Sequence, residues 1–152
     1  TAVTDMQTAF TCATVTRPCD AGAAFNFPAA TDFAALPQPL AAGHYCVTGA
    51  MSVGSPLTLT NPGVYIFQST GALDTAVGPF AVTLAGGANA GNTFVYWVPG
   101  GITTIQANVA FLGSILSFNA GITLGANATL LGGRALTGAA VNLLSTNQIA
   151  IP

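Results

Sequence analysis

Val3, Met6, Phe10 and Ala13 fall three and four residues apart within Thr1 to Thr14, the spacing that lines up one apolar stripe on a short helix. The pattern then breaks. Between Val15 and Ala42 come Pro18, Pro28, Pro37 and Pro39 among scattered Ala and Phe. Proline lacks a backbone N–H and fixes φ, so this stretch is expected to be a connector and not a longer helix. From Gly43 onward, short β-branched and aromatic runs alternate with Gly and Asn, which predicts strands joined by tight corners. These runs recur. Gly101-Ile102-Thr103-Thr104, Gly121-Ile122-Thr123-Leu124 and Ala140-Val141-Asn142-Leu143 put Ile102, Ile122 and Val141 at separations of 20 and 19 residues. Val109 to Gly113 returns as Thr129 to Gly133, and Ile115-Leu116-Ser117 as Ala135-Leu136-Thr137, at the same step.

Three short strands in about 20 residues, with Gly or Asn at each corner, make up one coil of a parallel β-helix. The expected fold is therefore all-β with one short helix, a three-faced β-solenoid whose coils stack ~4.8 Å apart. It is read as a single domain over 1–152: helix in 1–14, connector in 15–42, coils in 43–152. Tyr45 to Val47 and Val64 to Phe67 open two less regular early coils, and Asp74 to Asn92 reads as a coil lengthened by the loop Gly86 to Asn92. An antiparallel sandwich also shows short strands at such intervals. It gives no reason for three landmarks to return at one step.

Charge narrows the function. Arg17, Arg134, Asp5, Asp20, Asp32 and Asp74 are the only charged side chains, for a formal net charge of −2. Nucleic-acid binding is excluded, because phosphate contacts need several Lys or Arg on one face. No window offers the ~18 apolar residues of a spanning helix. Thr1 is not a start Met and no basic-then-apolar leader precedes it, so a processed or excised product is expected. Weak charge also removes the repulsion that keeps small domains apart, so self-association is expected.

Three cysteines, Cys12, Cys19 and Cys46, allow one disulfide, with Cys12 to Cys19 or Cys19 to Cys46 the main options, and favour a setting outside the cytoplasm. With His44 they count four soft ligands, but the spacing matches no zinc module. His44 and Cys46 sit two apart on a strand without an orienting partner for nucleophilic chemistry. Four isolated Asp and no Glu give no carboxylate pair for hydrolysis, and Gly86 to Asn92 lacks the Lys-Ser/Thr ending of a phosphate loop. No catalytic residue, metal or cofactor is therefore expected. Asn127-Ala128-Thr129 fits an N-glycosylation acceptor. Thr58, Thr83, Thr103, Thr123 and Asn142 each sit at or near the middle of an aliphatic-flanked strand. Period-2 alternation would put them in one outer row, a candidate surface for ice or another ordered solid.

The chain resembles the ice-binding-protein-like β-solenoid family of secreted bacterial, fungal and algal proteins. The resemblance rests on Thr1-Ala2-Val3-Thr4-Asp5-Met6-Gln7-Thr8-Ala9-Phe10-Thr11, Pro62-Gly63-Val64-Tyr65-Ile66-Phe67-Gln68, Val82-Thr83-Leu84-Ala85-Gly86-Gly87-Ala88-Asn89-Ala90 with Phe94-Val95-Tyr96-Trp97-Val98, and Phe111-Leu112-Gly113-Ser114-Ile115-Leu116 with Gly133-Arg134-Ala135-Leu136. It implies a right-handed β-helix with a helix alongside, no catalysis, and for many members adsorption to ice through one flat face. It also implies an N-terminal portion before the helix that caps the solenoid and that this chain lacks. Open strand edges and scarce charge then lead to the first expectation: a secreted subunit polymerising head-to-tail into an extracellular filament, its partner being itself. The alternative is an ice-binding protein acting through the Thr face.

Overall fold

The computed structural model of the chain describes residues 2–12 and 18–150, without the side chains of residues 2, 3, 6 and 9. A helix, α1 (Ala2–Thr11), opens the chain with Asp5 in its first turn, where a carboxylate complements the helix dipole. Of the predicted helix, residues 13 and 14 and the side chains of Val3 and Met6 lie outside the described residues, as does the 15–17 part of the connector. Phe10 is half-buried against Ile66, Val98 and Leu116, and its ring centroid is 5.8 Å from that of Phe118.

Six coils follow. The first holds β1 (Asn26–Phe27) and β2 (Thr31–Asp32), then a 3-10 turn at Phe33–Ala35. The second is β3 (Gly43–Val47), β4 (Met51–Val53) and β5 (Leu57–Leu59); the third is β6 (Gly63–Ser69), β7 (Leu73–Thr75) and β8 (Phe80–Leu84). The fourth is β9 (Thr93–Pro99), β10 (Thr103–Ile105) and β11 (Val109–Leu112); the fifth is β12 (Ser114–Ser117), β13 (Ile122–Leu124) and β14 (Thr129–Leu131). The last is β15 (Ala135–Thr137), β16 (Val141–Leu143) and β17 (Gln148–Ala150). Pairing is parallel, coil on coil, and forms three sheets: a first face β1-β3-β6-β9-β12-β15, a second β2-β4-β7-β10-β13-β16 and a third β5-β8-β11-β14-β17. The protein is a parallel β-solenoid of six turns, as the repeat predicts.

Two expectations shift. The stack begins at Asn26, inside the stretch expected as connector, because β1 pairs with β3 and β2 with β4. Two-residue strands are too short to carry a readable period. The third side of this first coil, 36–40, contains Pro37 and Pro39 and forms no strand, since proline cannot donate to a ladder. The repeat is also out by one residue on two faces: Thr103 pairs with Ile122, which pairs with Val141, and Ala110 with Thr129. On the first face Ile115 pairs with Ala135 as read from the sequence.

Inward positions stack like on like. On the first face Tyr45, Phe67 and Trp97 align in register; Tyr45 and Phe67 stack at 5.1 Å, and Phe67 and Trp97 at 4.3 Å. Phe33 reaches Phe67 at 4.6 Å from the first coil, and Phe111 reaches Trp97 at 4.8 Å from the third face. The Trp97 indole N–H donates to the Leu112 carbonyl at 2.8 Å, so the largest core side chain is buried without stranding a donor. Corners use left-handed backbone: Asn108 and Asn127 adopt φ of 62° and 58°, and the Asn127 amide donates to Asn108 Oδ1 at 3.1 Å. Gly133 is demanded by proximity, because a Cβ there would sit 2.0 Å from the Gly113 oxygen.

Two consequences can be measured. Thr103 is 1% exposed and its hydroxyl is buried without a hydrogen-bond partner. Thr103→Val keeps the shape and removes the stranded group, so it should stabilise the fold by about 1–2 kcal/mol in denaturant unfolding. Burial first, then the neighbouring Tyr65 and Asp20, push the Tyr45 phenol up to about 12. Its contribution is therefore complete below the ordinary value of 10.0 and is lost as pH rises towards 12. Tyr45→Phe should flatten that alkaline loss of stability.

Candidate functional site

Each face has its own chemistry. The first face is partly covered: α1 packs Phe10 against it, and residues 18–20 lie over its second coil. There Cys19 and Cys46 form the disulfide, with Cα atoms 5.9 Å apart, while Cys12 is a free, exposed thiol. His44 is completely buried beneath this segment. Its backbone N–H donates to Asp20 Oδ2 at 2.6 Å, and its ring Nδ1 and Nε2 lie 3.1 and 2.9 Å from Pro18 O and Gln68 Oε1. Ligand atoms of Cys19, His44 and Cys46 come within 4.8 Å of one another. Of the four soft ligands counted in the sequence, two sulfurs are bonded to each other and Cys12 sits at the end of α1, so the group serves as a clasp and not as a set of thiolate ligands. Sulfurs in a disulfide have no thiolate to offer.

The row of hydroxyls predicted from sequence is divided among three settings. Thr58 and Thr83 pair in register on the third face, their hydroxyl oxygens 3.3 Å apart. Beyond them the outward positions of that face turn apolar, at Leu112 and Leu131. Thr103 points into the core. Thr123 and Asn142 pair with each other on the second face, and the partner of Thr123 in the preceding coil is Thr104. Thr104 is the residue the sequence reading missed. The cue was present: Thr103-Thr104 offers two hydroxyls in one strand, and the neighbouring coils decide which faces out.

With Thr104 in place, the second face carries an uninterrupted polar row through all six coils: Asp32, Ser52, Asp74, Thr104, Thr123 and Asn142, each paired to the next. These side chains are exposed or half-buried, while Met51, Val53, Leu73, Ile105, Ile122 and Leu124 on either side point inward and are buried. Small residues border the row: Ala50, Ala72, Gly121 and Ala140 before it, Gly54, Ala76 and Gly125 after it. Ile102, 62% exposed, interrupts the first border, and Gln106 and the 53% exposed Leu144 interrupt the second. The result is a continuous strip of hydroxyl, amide and carboxylate groups at the strand spacing of ~4.8 Å. The glycosylation motif also has a place: Asn127 is exposed at the corner between the second and third faces, where its side chain ties two coils together.

A six-turn solenoid with a helix and clasp on one face and an in-register polar strip on another defines a class of protein that presents one regular surface. The chain belongs to the Ice-binding-like family, which it matches over residues 1–150. Among solved structures it is similar to an ice-binding protein with antifreeze activity from an Arctic yeast, at a TM-score of 0.80 and 28% identity, over 99% of this chain and 61% of that one. It is also similar to the ice-binding protein of the Antarctic ascomycete Antarctomyces psychrotrophicus, at 0.79 and 26%, over 99% and 70%. A third is an ice-binding protein from an Antarctic bacterium of the Flavobacteriaceae, at 0.70 and 25%, over 99% and 34%. The chain thus spans 61% of the length of the Arctic yeast protein. No curated protein matches it. No helix among the described residues is long and apolar enough to cross a membrane.

The clasp makes its own prediction. Cys19 and Cys46 close a loop of 27 residues in sequence separation, worth about 3–4 kcal/mol in the chain-entropy model. Cys46→Ser should lower stability by that order in denaturant unfolding, while the folded, unreduced protein should titrate with one reactive thiol per chain, that of Cys12.

Proposed function

We propose that this protein adsorbs to ice through its second face and acts outside the cell without catalysis. The observation that carries the reading is the unbroken polar row on that face, in a chain of the Ice-binding-like family. Backbone pairing spaces the row's side chains evenly, so water held on one coil is repeated on the next. Each contact is weak, and a rigid array sums many of them without fresh ordering cost. Where the borders are Ala and Gly, beside Ser52, Asp74 and Thr123, the row can approach a flat solid closely. The Cys19–Cys46 disulfide supports an oxidising, extracytoplasmic setting.

The comparisons support adsorption over the head-to-tail filament that composition placed first. Scarce charge fits both readings, since it weakens repulsion between copies and also keeps strongly hydrated ions off a surface that meets solid water. In the last coil Val141, Leu143, Leu144 and Ile149 are 40–53% exposed. What favours adsorption is the family, together with the unbroken polar row of the second face.

The face assignment moves the expected plane from Thr58, Thr83, Thr103 and Thr123 to Ser52, Thr104, Thr123 and Asn142. Thr104→Tyr and Thr123→Tyr should each abolish thermal hysteresis and ice shaping with the melting temperature preserved, while Thr83→Tyr on the third face should leave both. A parent chain without thermal hysteresis would overturn the ice reading. Activity lost in Thr83→Tyr but kept in the other two would move the plane to the third face.

A further inference from the structure

The polar row contains two carboxylates, Asp32 and Asp74, and a charged group standing above a flat strip would hold its own hydration shell off the plane. Neither stands free. One oxygen of Asp74, Oδ1, accepts from its neighbour's backbone N–H at Thr75, 2.9 Å away, and from the Gln106 side-chain amide at 3.1 Å. One oxygen of Asp32, also Oδ1, accepts from the backbone N–H of Ala34 and of Gly54, both at 3.0 Å. The two arrangements share a register. Asp32 pairs with Ser52 and is held from Gly54; Asp74 pairs with Thr104 and is held from Gln106. In both, the anchor lies two residues beyond the paired position in the following coil, on the bordering row.

That register explains two residues of the border. Gln106 is a long side chain where the neighbouring coils have Ala76 and Gly125. At Gly54 a Cβ would meet Asp32 Oδ2 at 2.4 Å, so any side chain there would push that carboxylate aside. We propose that Gln106 and Gly54 are positioning residues that hold the carboxylates of Asp74 and Asp32 down along the sheet, so that these groups enter the water-binding plane as level acceptors. Asp74 and Asp32 belong to the surface itself; Gln106 and Gly54 act through them. The inference rests on the adsorption reading above and says how that surface tolerates charge.

The test uses the whole chain, with thermal hysteresis at equal concentration and melting temperature measured side by side. Gln106→Met keeps the length of the side chain and removes its donor, while the Gln106 backbone N–H keeps its bond to the Thr75 hydroxyl at 2.9 Å. Thermal hysteresis should fall several-fold at an unchanged melting temperature. Adding Asp74→Ser to that variant removes the carboxylate and should restore most of the activity, which a simple loss of packing at position 106 would not allow. Gly54→Ala is the independent arm: it should lower hysteresis in the same way by displacing Asp32, and it decides the matter should Gln106→Met prove unstable. An active parent whose Gln106→Met and Gly54→Ala variants are folded and fully active overturns the positioning role and leaves the adsorption reading standing. So does a double variant that stays as weak as Gln106→Met. A parent without hysteresis overturns the adsorption reading itself.

Discussion

In-register parallel pairing between coils is the constraint from which the rest of this structure follows. Each strand bonds to the strand above and below it on the same face, so a residue's neighbours in space are its counterparts in adjacent coils. Side chains alternate in and out along every strand, and a slip of one residue would exchange the two sets. Thr103 and Thr104 show how narrowly this is decided. Leu73 and Ile122 flank position 103 in the sheet and are fully buried, while Asp74 and Thr123 flank position 104. One hydroxyl is therefore spent inside without a partner, and the other completes the outer row.

The same constraint shapes the core and its corners. Aromatic rings that occupy one column, Tyr45, Phe67 and Trp97, can stack face to face because the backbone spacing brings their planes to contact distance. Corners recur at one position, so the left-handed Asn108 and Asn127 meet and bond across coils. A fold held by repeated short-range contacts of this kind needs few charges. Only six charged side chains are present, and Asp32 and Asp74 are engaged by neighbouring N–H donors in place of cations.

The faces of a solenoid are chemically independent, so one face can carry a row that the others lack. The clasp of Cys19 and Cys46, the buried His44 and the helix α1 all belong to the first face, so the second is left to its polar row. A strip built on paired strands is more rigid than one built on loops, and rigidity is what adsorption to a crystal requires: many weak contacts must form at once without an entropic cost for each. The Ice-binding-like family to which the chain belongs fits that physical logic.

The amino-acid sequence by itself determined the class of fold. The three-part repeat, the Gly and Asn corners and the lengthened coil carrying the loop at Gly86 to Asn92 are all local properties of composition and period, and local properties are readable along a chain. It also narrowed the disulfide to two pairings that share Cys19. It did not determine register, because Ile102, Ile122 and Val141 look equivalent in sequence, whereas burial of Thr103 sets the alignment one residue away. Only the tertiary structure could choose among the faces. Thr58 and Thr83 are as exposed and hydroxylated as any residue of the second face, yet their row turns apolar in later coils. Whether a row is continuous depends on which residues lie above and below, and that neighbourhood exists only once the coils are stacked.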